Sequence, residues 1–196
     1  MNDVPAPGPV GALVLAAGAA RRYGSAKQLA ELEGRPLLEH ALEAVAAAPV
    51  DRRVVVLGTG ADAVLAGTNL HGARPVVCDD WAEGQAASLR AGLEALRGVE
   101  AAVVVLGDQP RVSARAIARV LAARGEGAAA VRAGYDGLPA HPIVLERELF
   151  ARLAALEGDV GAREVLATAA VREVPCDGLG RPDDVDTPEQ LEVLRQ

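Results

Sequence analysis

The sequence predicts an α/β domain with a mainly parallel central sheet, and three observations support that fold class. Short apolar runs rich in β-branched residues alternate with Ala- and Leu-rich stretches of helical character, which is the pattern of βα units. Residues 103–106 are all apolar without alternation, as expected of a central strand covered on both faces. Of the 196 residues, 51% are hydrophobic but only 2% are aromatic, so one Rossmann-like three-layer domain with a core of Ala, Val and Leu is expected.

Six strands follow from the short apolar runs. A segment rich in Pro and Gly precedes them, and we predict that residues 1–9 form a disordered tail and residues 10–196 the folded domain. The strands are expected at Gly11–Ala16, Arg53–Leu57, Pro75–Cys78, Ala101–Leu106, Ala128–Arg132 and Pro142–Leu145.

Six helices follow from the Ala- and Leu-rich stretches, and several carry start signals. Ser113 and Asp159 are good N-cap residues, and residues 187–190 combine a proline at the first helical position with a capping-box pattern. The helices are expected at Pro36–Ala48, Ala86–Leu96, Ser113–Arg124, Arg147–Leu156, Val160–Thr168 and Pro188–Leu194.

Composition and charge exclude several classes of protein. A formal net charge of −7 argues against a non-specific nucleic-acid binder, although a local pocket can still be basic. The two cysteines and three histidines show no metal-ligand spacing. No stretch reaches the roughly 18 apolar residues of a membrane span, and no signal peptide precedes the first strand. We therefore expect a cytoplasmic protein without nucleic-acid or membrane partners.

The loop after the first predicted strand carries the strongest functional signal. Small residues allow the backbone to approach a polyanion, and Arg22 and Lys27 add positive charge that a triphosphate can use. The pattern is neither a P-loop nor a dinucleotide fingerprint. An ordinary strand-to-loop turn with solvated basic residues is the alternative. The candidate nucleotide-binding residues here are Leu15, Ala16, Ala17, Gly18, Arg22, Gly24 and Lys27.

Two carboxylates are candidate metal ligands. Asp108 follows the most hydrophobic strand, and an acidic residue at the carboxyl edge of a sheet can hold a Mg²⁺ ion that bridges phosphate oxygens. Capping of a turn is the alternative role for Asp108. Asp186 lies among acidic residues at the start of the last helix, where it either complements the helix dipole or reaches the same metal.

Two further residues give weaker signals. Ser88 lies in a predicted helix start rich in small residues, where its hydroxyl could contact the base or sugar of a nucleotide. His141 lies between two prolines that restrict the backbone, so it either lines a substrate pocket or serves as a structural histidine.

Together these motifs resemble the molybdenum cofactor nucleotidyltransferases, and the cytidylyltransferase branch in particular. The resemblance runs from Leu13 to about Leu194. Its specific parts are residues 16–18 with Arg22, Gly24 and Lys27, then residues 107–110, the pair at 141–142 and residues 184–188.

The resemblance implies a fold of the nucleotide-diphospho-sugar transferase type and Mg²⁺-dependent transfer of a nucleotidyl group to a phosphorylated acceptor such as molybdenum cofactor, with release of pyrophosphate. It implies catalytic roles for Arg22, Lys27 and Asp108, with Asp186 as second metal ligand. It places Gln109 and His141 at the acceptor, and it favours CTP because Ala17 stands where guanylyl-transferring relatives have glycine. A molybdoenzyme is a further partner that it suggests.

Two other functions remain open on the sequence. One is a reductase of the nicotine blue oxidoreductase type on the same scaffold, although the sequence lacks a dinucleotide-binding fingerprint. The other is a nucleotide-binding chaperone for a molybdoenzyme that has no catalytic activity of its own.

Overall fold

A seven-stranded sheet forms the centre of the molecule in a computed structural model that describes residues 8–18, 23–24, 26–125 and 127–195. The strand order is β5-β4-β1-β6-β8-β7-β9, and a separate two-stranded ribbon pairs β2 with β3. The strands are β1 Val10–Ala16, β2 Glu31–Leu32, β3 Arg35–Pro36, β4 Arg52–Leu57, β5 Arg74–Val77, β6 Ala101–Leu106, β7 Ala130–Tyr135, β8 Leu138–Glu146 and β9 Val171–Pro175.

Helices cover both faces of this sheet. They are α1 Leu37–Ala46, α2 Ala61–Gly67, α3 Gln85–Ala95, α4 Ala114–Ala122, α5 Phe150–Ala154, α6 Arg163–Leu166 and α7 Pro188–Arg195, with 3-10 turns at Lys27–Leu29, Asp79–Glu83 and Arg147–Leu149. Alternate residues of β1 enter different cores: Val14 joins the cluster that contains residues of α1 and α4, whereas Leu13 joins the one that contains residues of α3 and α5. The predicted single-domain three-layer fold is therefore confirmed.

The strand directions confirm a mainly parallel sheet with one exception, β8. All neighbouring strands of the large sheet are parallel except that β8 runs antiparallel to both β6 and β7. The two-residue turn Asp136–Gly137 joins β7 to β8, and both residues have positive φ, as the tight turn of a hairpin requires. The register pairs Val104 with Ile143, so His141, two residues earlier on β8, lies beside the carboxyl end of β6.

Several predicted element bounds are wrong, and the loop before α6 shows why. The helix expected at Val160–Thr168 is only α6, and Asp159 does not cap it. The Asp159 carboxylate instead accepts a hydrogen bond from the backbone amide of Gln85 at 3.4 Å, at the start of α3. The sequence also did not predict α2, β9 and the ribbon of β2 and β3.

The chain ends add a third, smaller core. Leu32, Leu37, Val185, Leu191 and Leu194 form a separate buried cluster that attaches α7 to the ribbon. At the other end, the Pro9 carbonyl accepts a hydrogen bond from the Glu100 amide at 2.8 Å. The part of the predicted tail that the structure describes is thus attached to the domain, while residues 1–7 lie outside the described residues. None of the described helices is long and apolar enough to cross a membrane.

Candidate active site

The candidate site lies at the carboxyl edge of β1 and β6. These two strands are parallel neighbours that pair Leu15 with Leu106, so the segments that leave them begin side by side. The Gly107 amide donates to the Leu15 carbonyl at 2.9 Å, and a Cβ at Gly107 would lie 2.9 Å from side-chain atoms of Ala16 and Leu38. Glycine at 107 therefore allows the chain to turn tightly and present Asp108 at the edge of the sheet.

Lys27, Asp108 and Asp186 form the centre of the site. The Lys27 Nζ donates to Asp108 Oδ2 at 2.7 Å and to Asp186 Oδ1 at 2.8 Å. All three side chains are largely buried, with exposed fractions of 12% for Lys27 and 25% for each aspartate. The structure thus brings three of the predicted catalytic and metal-binding residues to one point.

The surroundings of Lys27 favour its charged form. Burial alone would lower the pKa of Lys27, but the charges and hydrogen bonds of Asp108 and Asp186 outweigh it and raise that pKa above its usual value. Burial raises the pKa of the neighbouring Asp184, against a hydrogen bond from Gln109, and the charges of Asp108 and Asp186 raise it further. Among the described residues, three carboxylates thus lie near the one ammonium of Lys27.

The segment after β9 delivers Asp186 to the site through long-range hydrogen bonds. The Asp108 carbonyl accepts from the Val185 amide at 2.9 Å. The Gln109 Nε2 donates to the Pro182 carbonyl at 3.1 Å and to Asp184 Oδ1 at 2.7 Å. The Gln109 side chain thus holds the segment that precedes α7, and the acceptor contact expected of it stays a prediction.

The start of α7 fixes the backbone on either side of Asp186. The Gln190 Oε1 accepts hydrogen bonds from the amides of Asp186 at 2.6 Å and Thr187 at 2.9 Å. The backbone amide of Gln190 in turn donates to Thr187 Oγ1 at 3.3 Å. This confirms the predicted capping box, which orients Asp186 as well as starting the helix.

Gln28 shapes the beginning of the loop after β1, a role that the sequence did not predict. Its buried Nε2 donates to the carbonyls of Ala16 at 2.8 Å and Gly18 at 3.3 Å. Ala17 is buried, and its carbonyl lies so close to Gly58 that any side chain at 58 would collide with it. In the sequence, the available signal for this role is a glutamine directly after Lys27.

The remaining loop residues are only partly described. Gly24 has a φ of +81°, which favours glycine. Arg22 lies outside the described residues, so its predicted contact with the triphosphate stays a prediction.

Ser88 lies in the first turns of α3 and is buried. Burial raises the pKa of the Cys78 thiol, and the neighbouring Ser88 side chain opposes that rise. The predicted contact of Ser88 with a nucleotide stays a prediction.

His141 stands in a wall between two cavities of opposite character. A cavity of about 860 Å³ has an apolar floor that includes Leu15 and Val104, and its charged lining residues are Arg132, Arg163 and Asp159. A cavity of about 850 Å³ on the other side is lined by four carboxylates, Asp136, Asp177, Asp183 and Asp184, and by one arginine, Arg181. Residues 139–141 of β8 line both.

The ionisation of His141 reflects its surroundings. Burial lowers the pKa of His141 to about 4, although the negative charge of Asp108 acts in the opposite direction. The imidazole is therefore neutral at physiological pH. It has one nitrogen that can donate a hydrogen bond and one that can accept a hydrogen bond from a ligand in either cavity.

The two aspartates of the cluster have the chemistry of a magnesium site that shares its ion with a substrate. The described residues contain no group of three or more His, Cys, Asp or Glu side chains arranged to hold a metal by themselves. Mg²⁺, however, is commonly bound by one or two carboxylates together with phosphate oxygens and water. The Asp108 Oδ1 is buried without a hydrogen-bond partner, so it retains capacity for a ligand. Asp108 and Asp186 therefore fit such an ion.

An open α/β sheet with a lysine and two carboxylates at its carboxyl edge defines the class of nucleotidyltransferase domains. Within that class, the chain belongs to the family of MobA-like NTP transferase domains, whose model matches residues 12–174.

Known relatives are similar over nearly the whole chain. Nicotine blue oxidoreductase of Paenarthrobacter nicotinovorans is 35% identical, over 97% of this chain and 98% of the relative. The crystal structure of Rv0371c from Mycobacterium tuberculosis H37Rv has a TM-score of 0.88 and 33% identity, over 97% of this chain and 98% of that one. A manganese complex of Rv0371c matches with a TM-score of 0.82 and 31% identity, over 95% and 97% of the two chains.

Proposed function

We propose that the protein transfers a nucleotidyl group, CMP from CTP, to a phosphorylated acceptor such as molybdenum cofactor, and releases pyrophosphate in a Mg²⁺-dependent reaction. The observation that carries this proposal is the position of Lys27 between Asp108 and Asp186 at the carboxyl edge of β6. In open α/β sheets this edge is where ligands bind. The family membership and the manganese complex of Rv0371c support nucleotide and divalent-metal chemistry for this chain.

The reaction needs positioned charge and no covalent nucleophile from the protein. An oxygen of the acceptor phosphate attacks the α-phosphorus in line and forms the new P–O bond. The bond from the α-phosphorus to the bridging oxygen breaks, and its electron pair leaves with pyrophosphate. Positioning and charge neutralisation carry most of the catalysis in such transfers. A Mg²⁺ ion held by Asp108 and Asp186 would neutralise charge on the phosphates when bound.

The chain supplies the other parts of the site. In this proposal the loop after β1 binds the triphosphate, and Lys27 and Arg22 compensate its charge. The cavity that contains Arg132 and Arg163 suits an anionic acceptor with an apolar body, because its floor is apolar and its cations lie at the side. Arg132 is already paired with Glu173 at 3.1 Å, so Arg163 is the cation more available to the acceptor.

The preference for CTP depends on the segment Ala16–Gly18. Ala17 is buried, and its carbonyl lies so close to Gly58 that residue 58 cannot carry a side chain. We expect calorimetry in the presence of Mg²⁺ to show tighter binding of CTP than of GTP. Equal or tighter binding of GTP would contradict the base preference and leave nucleotidyl transfer intact.

The decisive experiment measures pyrophosphate release from each of the four nucleoside triphosphates, with and without molybdenum cofactor. We expect release with CTP and acceptor only, and its loss in Asp108→Asn. Asp62→Asn is the matched control, because it makes the same chemical change at an exposed position of α2. If CTP binds tightly but no acceptor yields pyrophosphate, the protein is a nucleotide-binding chaperone, and binding to a molybdoenzyme becomes the next test.

A reductase function is the second candidate, favoured by the full-length similarity to nicotine blue oxidoreductase. It predicts oxidation of NAD(P)H or a flavin spectrum in the purified protein. Nucleotidyl transfer predicts neither, so one absorbance measurement separates the two functions.

A further inference from the structure

Lys27 is the only lysine in the chain, and the rest of its 20 lysine and arginine residues are arginines. Its ammonium lies between the two carboxylates that suit a divalent cation, at 2.7 and 2.8 Å from their oxygens. Lysine carries a compact ammonium on a flexible stem, whereas arginine carries a rigid planar fork. The residue at this position is therefore the basic side chain best suited to fill a site shaped for a small cation.

The ammonium and a dication cannot occupy this position together. Both aspartates direct an oxygen at Lys27, and two cations at contact distance repel strongly in a partly buried site. The ammonium and the dication would need the same oxygens of Asp108 and Asp186, so binding of one disfavours binding of the other.

Departure of Lys27 requires only a movement of its side chain. The neighbouring Gln28 is buried and binds the carbonyls of Ala16 and Gly18, which holds the backbone at 27–28 against the end of β1. From this fixed point the four-carbon stem of Lys27 can turn toward the loop that begins at Gly18. The Asp108 Oδ1, buried without a partner, offers a further ligand to the incoming ion.

We propose that Lys27 alternates between two sets of partners: it bridges Asp108 and Asp186 in the metal-free protein, and a divalent cation that replaces it releases the ammonium to the triphosphate. This inference rests on the proposed function, because it assigns the metal and the phosphates to the same edge of the sheet. It makes Lys27 a positioning residue before substrate binds and a phosphate ligand afterwards, and it orders the events, with metal exchange preceding full engagement of the nucleotide.

The single lysine allows a direct test. The nucleotide-free protein is treated with an amine-acylating reagent at constant pH, and modification of the Lys27 peptide is measured by mass spectrometry. We expect Mn²⁺ to increase the acylation rate at least fivefold and CTP added with Mn²⁺ to reverse that increase. An unchanged rate, at Mn²⁺ concentrations where electron paramagnetic resonance shows the ion bound, would overturn the proposal.

A second measurement tests the exchange from the side of the metal. Mn²⁺ affinity without nucleotide is compared in the parent, Lys27→Met and Lys27→Arg, each first shown to be folded by circular dichroism. The methionine variant keeps the stem but lacks the competing charge, so we expect it to bind Mn²⁺ at least tenfold more tightly, and the arginine variant no more tightly than the parent. Equal Mn²⁺ affinity in the parent and the methionine variant would refute the exchange.

The two proposals fail in different ways. Absence of Mn²⁺ binding to the nucleotide-free protein overturns the exchange, whereas pyrophosphate release would still establish transfer. A metal-dependent increase in acylation without pyrophosphate release from any acceptor would support the exchange and reject the transferase.

Discussion

Asp108 and Asp186 meet at one ammonium, but different kinds of structure position them. Asp108 follows a central strand by two residues, with its direction set by the turn at Gly107. Asp186 lies between β9 and α7, 159 residues from Lys27 in sequence, and is held by hydrogen bonds to its neighbours. The sheet side of the site, which carries Asp108, is part of the sheet. The fastened side, which carries Asp186, is a separate segment that hydrogen bonds attach to the sheet. The stability of the fold should therefore tolerate a change of charge at Asp108. It should be sensitive to the loss of single hydrogen bonds in the segment that holds Asp186.

The largest effect is expected for Asp108→Asn on turnover. Asparagine keeps the shape of the side chain and can still accept from Lys27, but it lacks the charge that would hold the metal. We expect turnover to fall at least about a hundredfold, roughly 3 kcal/mol, with little change in melting temperature. A folded variant with normal turnover would remove Asp108 from the metal site, and an unfolded one would show that it caps the turn.

The next effect concerns the fastening of Asp186 and is expected for Gln109→Leu. The substitution removes both amide donors that hold Pro182 and Asp184. We expect the free energy of unfolding to decrease by about 1–3 kcal/mol, because buried acceptors lose their partner. Gln109→Glu should cost more, since it places a carboxylate against Asp184. Urea unfolding measures both, and a leucine variant as stable as the parent would contradict this account of the segment.

Asp186→Asn should affect turnover less than Asp108→Asn. The backbone at 186 remains held by Gln190, and the sheet-side carboxylate remains in place. We expect a loss of roughly tenfold in turnover, about 1.4 kcal/mol. Asp183→Asn provides the control, because Asp183 pairs with Arg181 at 2.8 Å near the same segment. A loss as large as that of Asp108→Asn would mean that the two sides contribute equally.

The smallest effect is a pH dependence on the sheet side. Burial lowers the pKa of His141 to about 4, so folding favours its neutral form. The unfolded chain, with a pKa of about 6.5, takes up the proton first as the pH falls, so this stabilisation is complete above that value and is lost as the pH falls from about 6.5 to 4. Between pH 7 and 5.5 we expect His141→Gln to lose about 1 kcal/mol less stability than the parent in urea unfolding. Parallel curves would show that His141 is hydrated in the folded protein.

The same comparison explains what the sequence predicts and what it does not. Apolar runs reveal central strands such as β6, and the residue type that follows such a strand is visible locally, so Asp108 could be identified without the structure. The meeting of Lys27 with Asp186 depends on the path of the chain after β9, for which the sequence carries no periodic signal. The role of Gln109 in holding that path was likewise not predictable, because its partners are more than 70 residues away.

Short elements account for most of the errors in the predicted fold. The helix α2 has seven residues and the strand β9 has five, so neither offers enough periods for a clear pattern. The loop before α6 was expected to be helical because Asp159 has the residue type of an N-cap. Its carboxylate instead binds the start of α3, so a tertiary contact outweighed a local preference.

The reversed strand β8 has a consequence for how this scaffold can diversify. Because β8 runs against its neighbours, the tip of the hairpin that it forms with β7 lies at the same edge of the sheet as the loop after β1, yet it belongs to a separate stretch of chain. Its residues 139–141 form the partition between a largely apolar chamber that contains two arginines and an acidic chamber. Substitutions in this one hairpin can therefore remodel either chamber without any change to the sequence of the loop after β1. A few residues of one hairpin thus control the shape of two cavities at once.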